Sequence, residues 1–470
     1  MGTNQLASLL GLGFKGSIYP VHPKEPTVMG LKAYQSVADL PETPDLSVII
    51  LPTRIVLDTV IQCGEKGIKN AIIVSGGFRE VGPEGRELER ALVQTAHRYG
   101  MRFLGPNCLG IANPHHKLNT TFLPFQGSAG HLGMVSQSGS FITQMFDYLS
   151  RIGMGFSTAI SVGNEADIDL VEGLKYLAAC PHTKVISLYI ETIRNPRGFI
   201  ETAGAVTPAK PIIAYYVGGS ESGKQACLSH TGALSGPDRL YDGVFRQTGI
   251  LRARTIQEMF DMASILENVP KPRGDRVIIQ THSGGPGAVA ADACDREGLK
   301  IPDMPDAVKK GLSLLVPHTG SIGNPVDITF SKDRSAYFSS IPGCLLDADH
   351  FDILLIYLLL PKHMFSRIME SMRLPENQIA TETERLIDEL ADALEDLVQR
   401  HGKPVIGFSF HSHEAYFIKR LQARNIPVMQ DPHRAARAIA ALCRYTKWRE
   451  GRRATNEHGV PVGGACENSV

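Results

Sequence analysis

The 470-residue chain carries 48 Lys and Arg against 48 Asp and Glu, so no net field favours nucleic acid or an anionic membrane as a partner. With 43% hydrophobic and 20% charged residues it has an ordinary globular composition, long enough for about three domains at ~150 residues each. Its eight cysteines form no Cys-x-x-Cys pair, no apolar run nears ~18 residues and no basic-then-apolar leader opens the chain; this excludes a zinc ribbon, a dithiol site and a membrane span, and fits a reducing cytoplasm.

In chain order, residues 2–10 read as a helix entered directly. The strand and Gly-rich turn that usually precede such a helix in a doubly wound nucleotide-binding unit are missing, so the first domain is expected to lack its first strand. Ile18-Tyr19-Pro20-Val21 reads as a strand leading to Lys24. Leu46-Ser47-Val48-Ile49-Ile50-Leu51 reads as another, closing on Pro52 before a helix over residues 54–66. Ala71-Ile72-Ile73-Val74 runs into Ser75-Gly76-Gly77-Phe78. A helix over 85–99 follows, then strand Arg102-Phe103-Leu104 and the turn Gly105-Pro106-Asn107-Cys108. Near-continuous apolar strands separated by helices imply a parallel sheet covered on both faces, which binds ligands at the carboxyl ends of its strands. The cofactor-binding candidates are therefore Lys24, Pro52, Ser75, Gly76, Phe78, Asn107 and Cys108. Gly76 permits close backbone approach, Phe78 can cover an adenine or pantetheine, Asn107 can hold an amide-rich arm or a thioester oxygen, and Lys24 can pair with a phosphate.

A second unit starts near residue 128. Leu132-Gly133-Met134-Val135-Ser136 is a buried strand, and Gln137-Ser138-Gly139-Ser140 opens a helix. Free N–H groups and the helix dipole attract phosphate there, which makes Ser138, Gly139 and Ser140 phosphate-binding candidates. Glu191 closes the apolar strand Val185-Ile186-Ser187-Leu188-Tyr189-Ile190. Beyond the glycine-rich stretch Gly218-Gly219-Ser220-Glu221-Ser222-Gly223 comes Ser229-His230-Thr231-Gly232-Ala233-Leu234. Glycines on both sides read as a mobile loop. A neutral imidazole whose second nitrogen is fixed by a carboxylate can carry a phosphoryl group. Glu191 is the candidate carboxylate, and Gly232 joins the phosphate-binding set.

A third unit starts near residue 274, where Arg276-Val277-Ile278-Ile279-Gln280-Thr281 leads into His282-Ser283-Gly284-Gly285. The repeated strand–Ser-Gly–helix device implies two related α/β domains in tandem. His282 and His318 read as structural, residues 377–400 as an acidic amphipathic helix with a solvated face, and the polar tail as frayed. The expected division is 1–125, 126–268, 274–448 and a tail of 449–470, with linkers near 120–130 and 267–274.

These segments, together with Gly13-Phe14-Lys15-Gly16, Ser161-Val162-Gly163-Asn164-Glu165-Ala166-Asp167 and Asn324-Pro325-Val326-Asp327, resemble in their order the α subunit of ADP-forming acid–CoA ligases. This is the acetyl-CoA synthetase (ADP-forming) family, related to succinyl-CoA synthetase. The resemblance extends to about residue 448. It implies an N-terminally truncated, Rossmann-like CoA-binding domain followed by two flavodoxin-like, doubly wound parallel-sheet domains of the succinyl-CoA-ligase type. It also implies His230 as the phosphorylated residue, Glu191 as its orienting carboxylate and the Ser138-Gly139 helix start as the phosphate holder. The implied reaction is acyl-CoA + phosphate + ADP = acid + CoA + ATP. An ATP-grasp β subunit would complete a heterotetramer and hold ADP or ATP with Mg²⁺, and no resident metal is expected on this chain. Two other readings compete. A non-catalytic CoA or acyl-CoA binder for regulation or scaffolding would need neither the histidine nor the Ser-Gly helix start. A nicotinamide dehydrogenase requires a strand–GxGxxG–helix unit, and none is visible.

Overall fold

A computed structural model of the chain describes residues 2–231, 236–329, 335–360, 362–371, 373 and 375–457. They divide into two compact units, Met1–Met259 and Phe260–Val470.

The first unit holds two sheets with parallel cores. Strands Ser47–Ile49, Asn70–Ile73 and Arg102–Leu104 pair in parallel in that order. Helices Thr53–Glu65 and Pro83–Arg98 connect them. Val56, Val60 and Cys63 on one helix and Leu92 and Ala96 on the other recur at helical spacing, and they bury with Ile73 and Phe103 in one cluster. Pro83 at the first helical position fits a start whose N–H needs no partner. The expected strand at residues 18–21 is reduced to an isolated bridge between Val21 and Tyr34. Pro20 has no N–H to give a ladder, and this segment stays irregular. Gly11 to Gly16 has the spacing of a dinucleotide fingerprint, but it begins inside the last turn of the helix Gly2–Leu12 rather than after a strand.

The second sheet has seven strands, in the order Leu251–Ala253, Ile212–Tyr216, Val185–Ile190, Leu132–Ser136, Phe156–Ser161, Ile111–Asn113 and Leu118–Asn119. The first five run in parallel and the last two pairings are antiparallel. Residues 111–119, placed in the first domain by the sequence reading, thus complete the sheet of the next. From Leu132–Ser136 the chain winds to one side through Phe156–Ser161 and to the other through Val185–Ile190. The crevice at such a reversal, at the carboxyl ends of the strands, is where open α/β sheets bind ligands. Ser136 and Glu191 stand there.

The second unit contains a six-stranded sheet, in the order Ser321–Ile322, Val326–Asp327, Val277–Thr281, Ile353–Tyr357, Val405–Phe408 and Val428–Met429. All its pairings are parallel except the first. Helix Glu376–His401 buries Ile387, Leu390, Ala391, Leu394 and Leu397 and ends at Gly402, whose φ of 59° suits a left-handed C-cap. Helix Pro432–Glu457 continues through the start of the expected polar tail, which is therefore ordered helix to residue 457; residues 458–470 lie outside the described residues. Among the described residues no helix is long and apolar enough to cross a membrane.

Candidate active site

Every residue of strand Leu132–Ser136 is buried, and the hydroxyl of its last residue shapes the turn that follows. Ser136 Oγ donates to the Ser138 carbonyl at 2.6 Å and accepts from the Ser138 N–H at 3.1 Å. The chain then enters helix Gly139–Arg151 with Ser138 as N-cap, and the Ser138 side chain makes no capping bond. It faces Ser140 Oγ at 3.4 Å instead, so the first-turn N–H groups receive no acceptor from their own cap. A side chain at 139 would put its Cβ 2.5 Å from Leu109 Cγ, so glycine is required at this helix start.

Gln137 looks inward. Its Oε1 accepts from the N–H groups of Glu191 at 2.6 Å and Thr192 at 3.0 Å, and its Nε2 donates to the Thr192 carbonyl at 2.7 Å. One amide thereby fixes the strand exit that carries Glu191, which is 3% exposed. Gln137 Nε2 also donates to Glu165 Oε2 at 2.7 Å, while Glu165 Oε1 accepts from the Leu170 N–H at 2.8 Å. Burial pushes the Glu165 carboxyl up to about 7, against the pull of those two donors.

Glu165 belongs to the loop after strand Phe156–Ser161, which docks on the first sheet of this unit. Gly163 takes φ 56°. A Cβ there would lie 2.5 Å from the Pro106 carbonyl oxygen, so the backbones meet only through glycine. The N–H groups of Asn164 and Ala166 bond the carbonyls of Pro106 and Gly105. Asn164, fully buried, has its Nδ2 at 2.6 Å from Glu80 Oε2 and 2.9 Å from Glu89 Oε2, and its Oδ1 accepts from Asn107 Nδ2 at 3.3 Å. Asp167 grips Arg102 Nε through both carboxylate oxygens and accepts from the Phe103 N–H at 2.8 Å. The run from Ser161 to Asp167 therefore ties the three-stranded and seven-stranded sheets of this unit together. Glu89 Oε1 lies 3.9 Å from Arg79 Nη1, and Glu165, Glu80 and Glu191 also act on that guanidinium through their charge.

The strand-end candidates of the first domain separate into two groups. Gly76 and Asn107 adjoin this cluster: a Cβ on Gly76 would lie 3.1 Å from Glu80 Oε1 and 3.2 Å from Asn107 Oδ1. Lys24 and Pro52 are exposed, Pro52 as the N-cap of its helix. The side chains of the other three are engaged within the protein. The Ser75 hydroxyl donates to the Leu51 carbonyl at 2.6 Å and accepts from the Leu51 N–H at 3.0 Å. Phe78, 2% exposed, packs in the core with Ile73 and Leu92. The Cys108 thiol points at the Ile73 carbonyl, and burial pushes it up to about 12, far from nucleophilic use.

Ser229 and His230 fall within helix Glu221–Thr231 rather than on a loop, because the helix continues past the preceding glycines. The His230 side chain and Gly232 lie outside the described residues. This helix packs against the 3-10 turn Arg79–Val81. Sequence reasoning missed Arg79, Gln137 and Glu165. The signal for Glu165 was an acidic residue two positions after Gly163, just beyond the strand Phe156–Ser161; Arg79 had only its place directly after Ser75-Gly76-Gly77-Phe78.

Residues 3–114 match a CoA binding domain, 129–266 a succinyl-CoA ligase like flavodoxin domain and 277–391 a ligase-CoA domain. The chain is 38% identical over 433 residues to the α subunit of acetate–CoA ligase (ADP-forming) II of Pyrococcus furiosus, covering 92% of this chain and 90% of that one. It is 32% identical to the 4-hydroxybutyrate–CoA ligase (ADP-forming) of Nitrosopumilus maritimus, over 93% of this chain and 60% of the longer relative. Among solved structures, the dinucleotide-forming acetyl-coenzyme A synthetase 1 of Ca. Korarchaeum cryptofilum, in complex with phosphate and ADP, superposes with a TM-score of 0.83. The two are 32% identical, and the match covers 96% of this chain and 93% of that one.

Proposed function

We propose a reaction on the premise of this chain's family: it belongs to the α subunits of the ADP-forming acid–CoA ligases. In the acyl-CoA-consuming direction a phosphate oxygen attacks the thioester carbon and the CoA thiolate leaves, giving an acyl phosphate. A neutral ring nitrogen of His230 then attacks phosphorus and the carboxylate departs as the free acid. The phosphohistidine finally passes its phosphoryl group to a terminal oxygen of ADP, held with Mg²⁺ on an ATP-grasp β subunit. The sequence is reversible, and we place it in the cytoplasm.

The observation that carries this reading is the pairing, at the switch point of one sheet, of an uncapped helix start at Ser138 with the buried carboxylate of Glu191. Neutral donors at a helix start hold a phosphate without adding a charge that would oppose its transfer. A fixed carboxylate sets the tautomer of an attacking imidazole and raises its basicity. Gly76 and Asn107 stand where the first sheet would receive CoA.

The test is acid-labile phosphorylation of the full chain, using acetyl phosphate or ATP, Mg²⁺ and the β subunit as donor. Wild type should label on His230 and His230→Asn should not. Label on another residue, or none in wild type, would remove the assignment.

A further inference from the structure

Arg79 is a buried charged group in the first unit that the reaction above leaves without a task. It is 8% exposed, on the turn Arg79–Val81 that packs against the helix containing His230. A buried guanidinium is costly unless its donors are satisfied, yet Arg79 Nε and Nη1 have no hydrogen-bond partner among the described residues. The nearest carboxylate oxygen, Glu89 Oε1, stands 3.9 Å from Nη1, beyond hydrogen-bond reach. Glu80, Glu89 and Glu165 are engaged elsewhere. Asn164 Nδ2 holds Glu80 and Glu89, Gly77 N–H holds the other oxygen of Glu80, and Gln137 with the Leu170 N–H holds Glu165.

The surroundings say which ligand fits those donors. Glu80, Glu89, Glu165 and Glu191 all act on Arg79 through their charge, and a phosphate entering beside them meets like charge. The helix start at Ser138 offers neutral dipoles, which do not cancel that repulsion; a guanidinium does, and its planar fork matches two oxygens of a phosphoryl group. Burial also pushes the carboxyls of Glu89 and Glu165 upward, which lowers the opposing charge further. We propose that Arg79 is a second anion-binding group of the phosphoryl site, taking oxygens of the incoming phosphate and then of the phosphoryl group on His230. This rests on the reaction assigned above.

The probe is inorganic phosphate, titrated into the full chain by calorimetry and followed as KM for phosphate in the complex with the β subunit. Arg79→Gln should weaken phosphate at least about tenfold in both measurements and leave KM for CoA in place, and Arg79→Lys should recover part of the loss. Should Arg79→Gln fail to fold, Arg79→Gln with Glu89→Gln removes both charges together and should show the same weakening. Unchanged phosphate affinity in whichever variant folds, or a rise in KM for the acid or for CoA in place of phosphate, overturns the proposal. A wild type that labels on His230 beside an Arg79→Gln with normal phosphate affinity defeats this inference alone. A wild type that never labels defeats the reaction itself.

Discussion

The turn after strand Leu132–Ser136 and the turn after strand Val277–Thr281 are built on one plan, and their neighbourhoods set them apart. In the second, Thr281 Oγ1 donates to the Ser283 carbonyl at 2.8 Å and accepts from the Ser283 N–H at 3.1 Å, repeating the bonds of Ser136 with Ser138. Both serines cap a helix without a side-chain bond. Their surroundings diverge at the adjacent strand: Val185–Ile190 exits onto Glu191, whereas Ile353–Tyr357 exits onto Leu358, fully buried and apolar. The middle residue follows suit. Gln137 binds Glu165 and the backbone of Glu191, while the His282 ring lies 4.7 Å from that of Tyr357 and 5.6 Å from that of Tyr337. A helix start supplies generic donors; under the proposed reaction, the residue leaving the next strand decides whether they serve chemistry or packing.

The sharpest way to break this contrast is to exchange the deciding residues. Glu191→Gln should slow phosphohistidine formation by about 10²-fold, since the imidazole loses its orienting carboxylate. Leu358→Gln should leave the labelling rate per folded molecule intact but lower stability by roughly 2–5 kcal/mol, through a buried amide without partners. Single-turnover labelling and denaturant unfolding read the two effects, and a Glu191→Gln that labels at the wild-type rate would erase the distinction.

The glycines provide a finer comparison. Gly139→Ala forces a Cβ to 2.5 Å from Leu109 Cγ, so a loss of about 1–3 kcal/mol and weaker phosphate binding are expected. Gly284→Ala meets only Asp327 Oδ2, at 3.4 Å, and should change stability by less than about 0.5 kcal/mol. Equal costs at the two positions would show that the first helix start is no tighter than the second.

The last comparison is between pH values. The Glu165 carboxyl, raised from 4.5 to about 7 by burial, holds its proton more tightly in the fold than in the unfolded chain. Its contribution to stability is therefore greatest below about 4.5 and declines as pH rises to about 7. Glu89, also raised by burial, adds in the same direction. Melting temperature against pH should fall through that window in wild type and fall less steeply in Glu165→Gln; parallel profiles would mean that Glu165 does not titrate there.

The devices that depend on short stretches were legible. Leu132–Ser136 and Val185–Ile190 are near-continuous apolar runs because both faces of a parallel sheet are covered, and the amphipathic period marked Glu376–His401 to within a residue at each end. What depends on distant partners was not. Nothing local in Ile111–Asn113 shows that it leaves one sheet for another, and Phe78 beside two glycines read as a ligand cover although Ile73 and Leu92 bury it. The cluster around Arg79 joins residues 79 to 191, and a charged residue whose burial comes from such separations carries no pattern in its own neighbourhood.

The antiparallel flank formed by Ile111–Asn113 and Leu118–Asn119 bears on how this chain can be dissected. A fragment cut at residue 125 to isolate the succinyl-ligase-like domain would strip that flank from Phe156–Ser161, a strand buried along its whole length. A bare, normally buried edge of that kind invites intermolecular pairing and precipitation. Expression pieces that keep residues 111–119 attached to the strand they shield should stay monodisperse where the shorter ones aggregate.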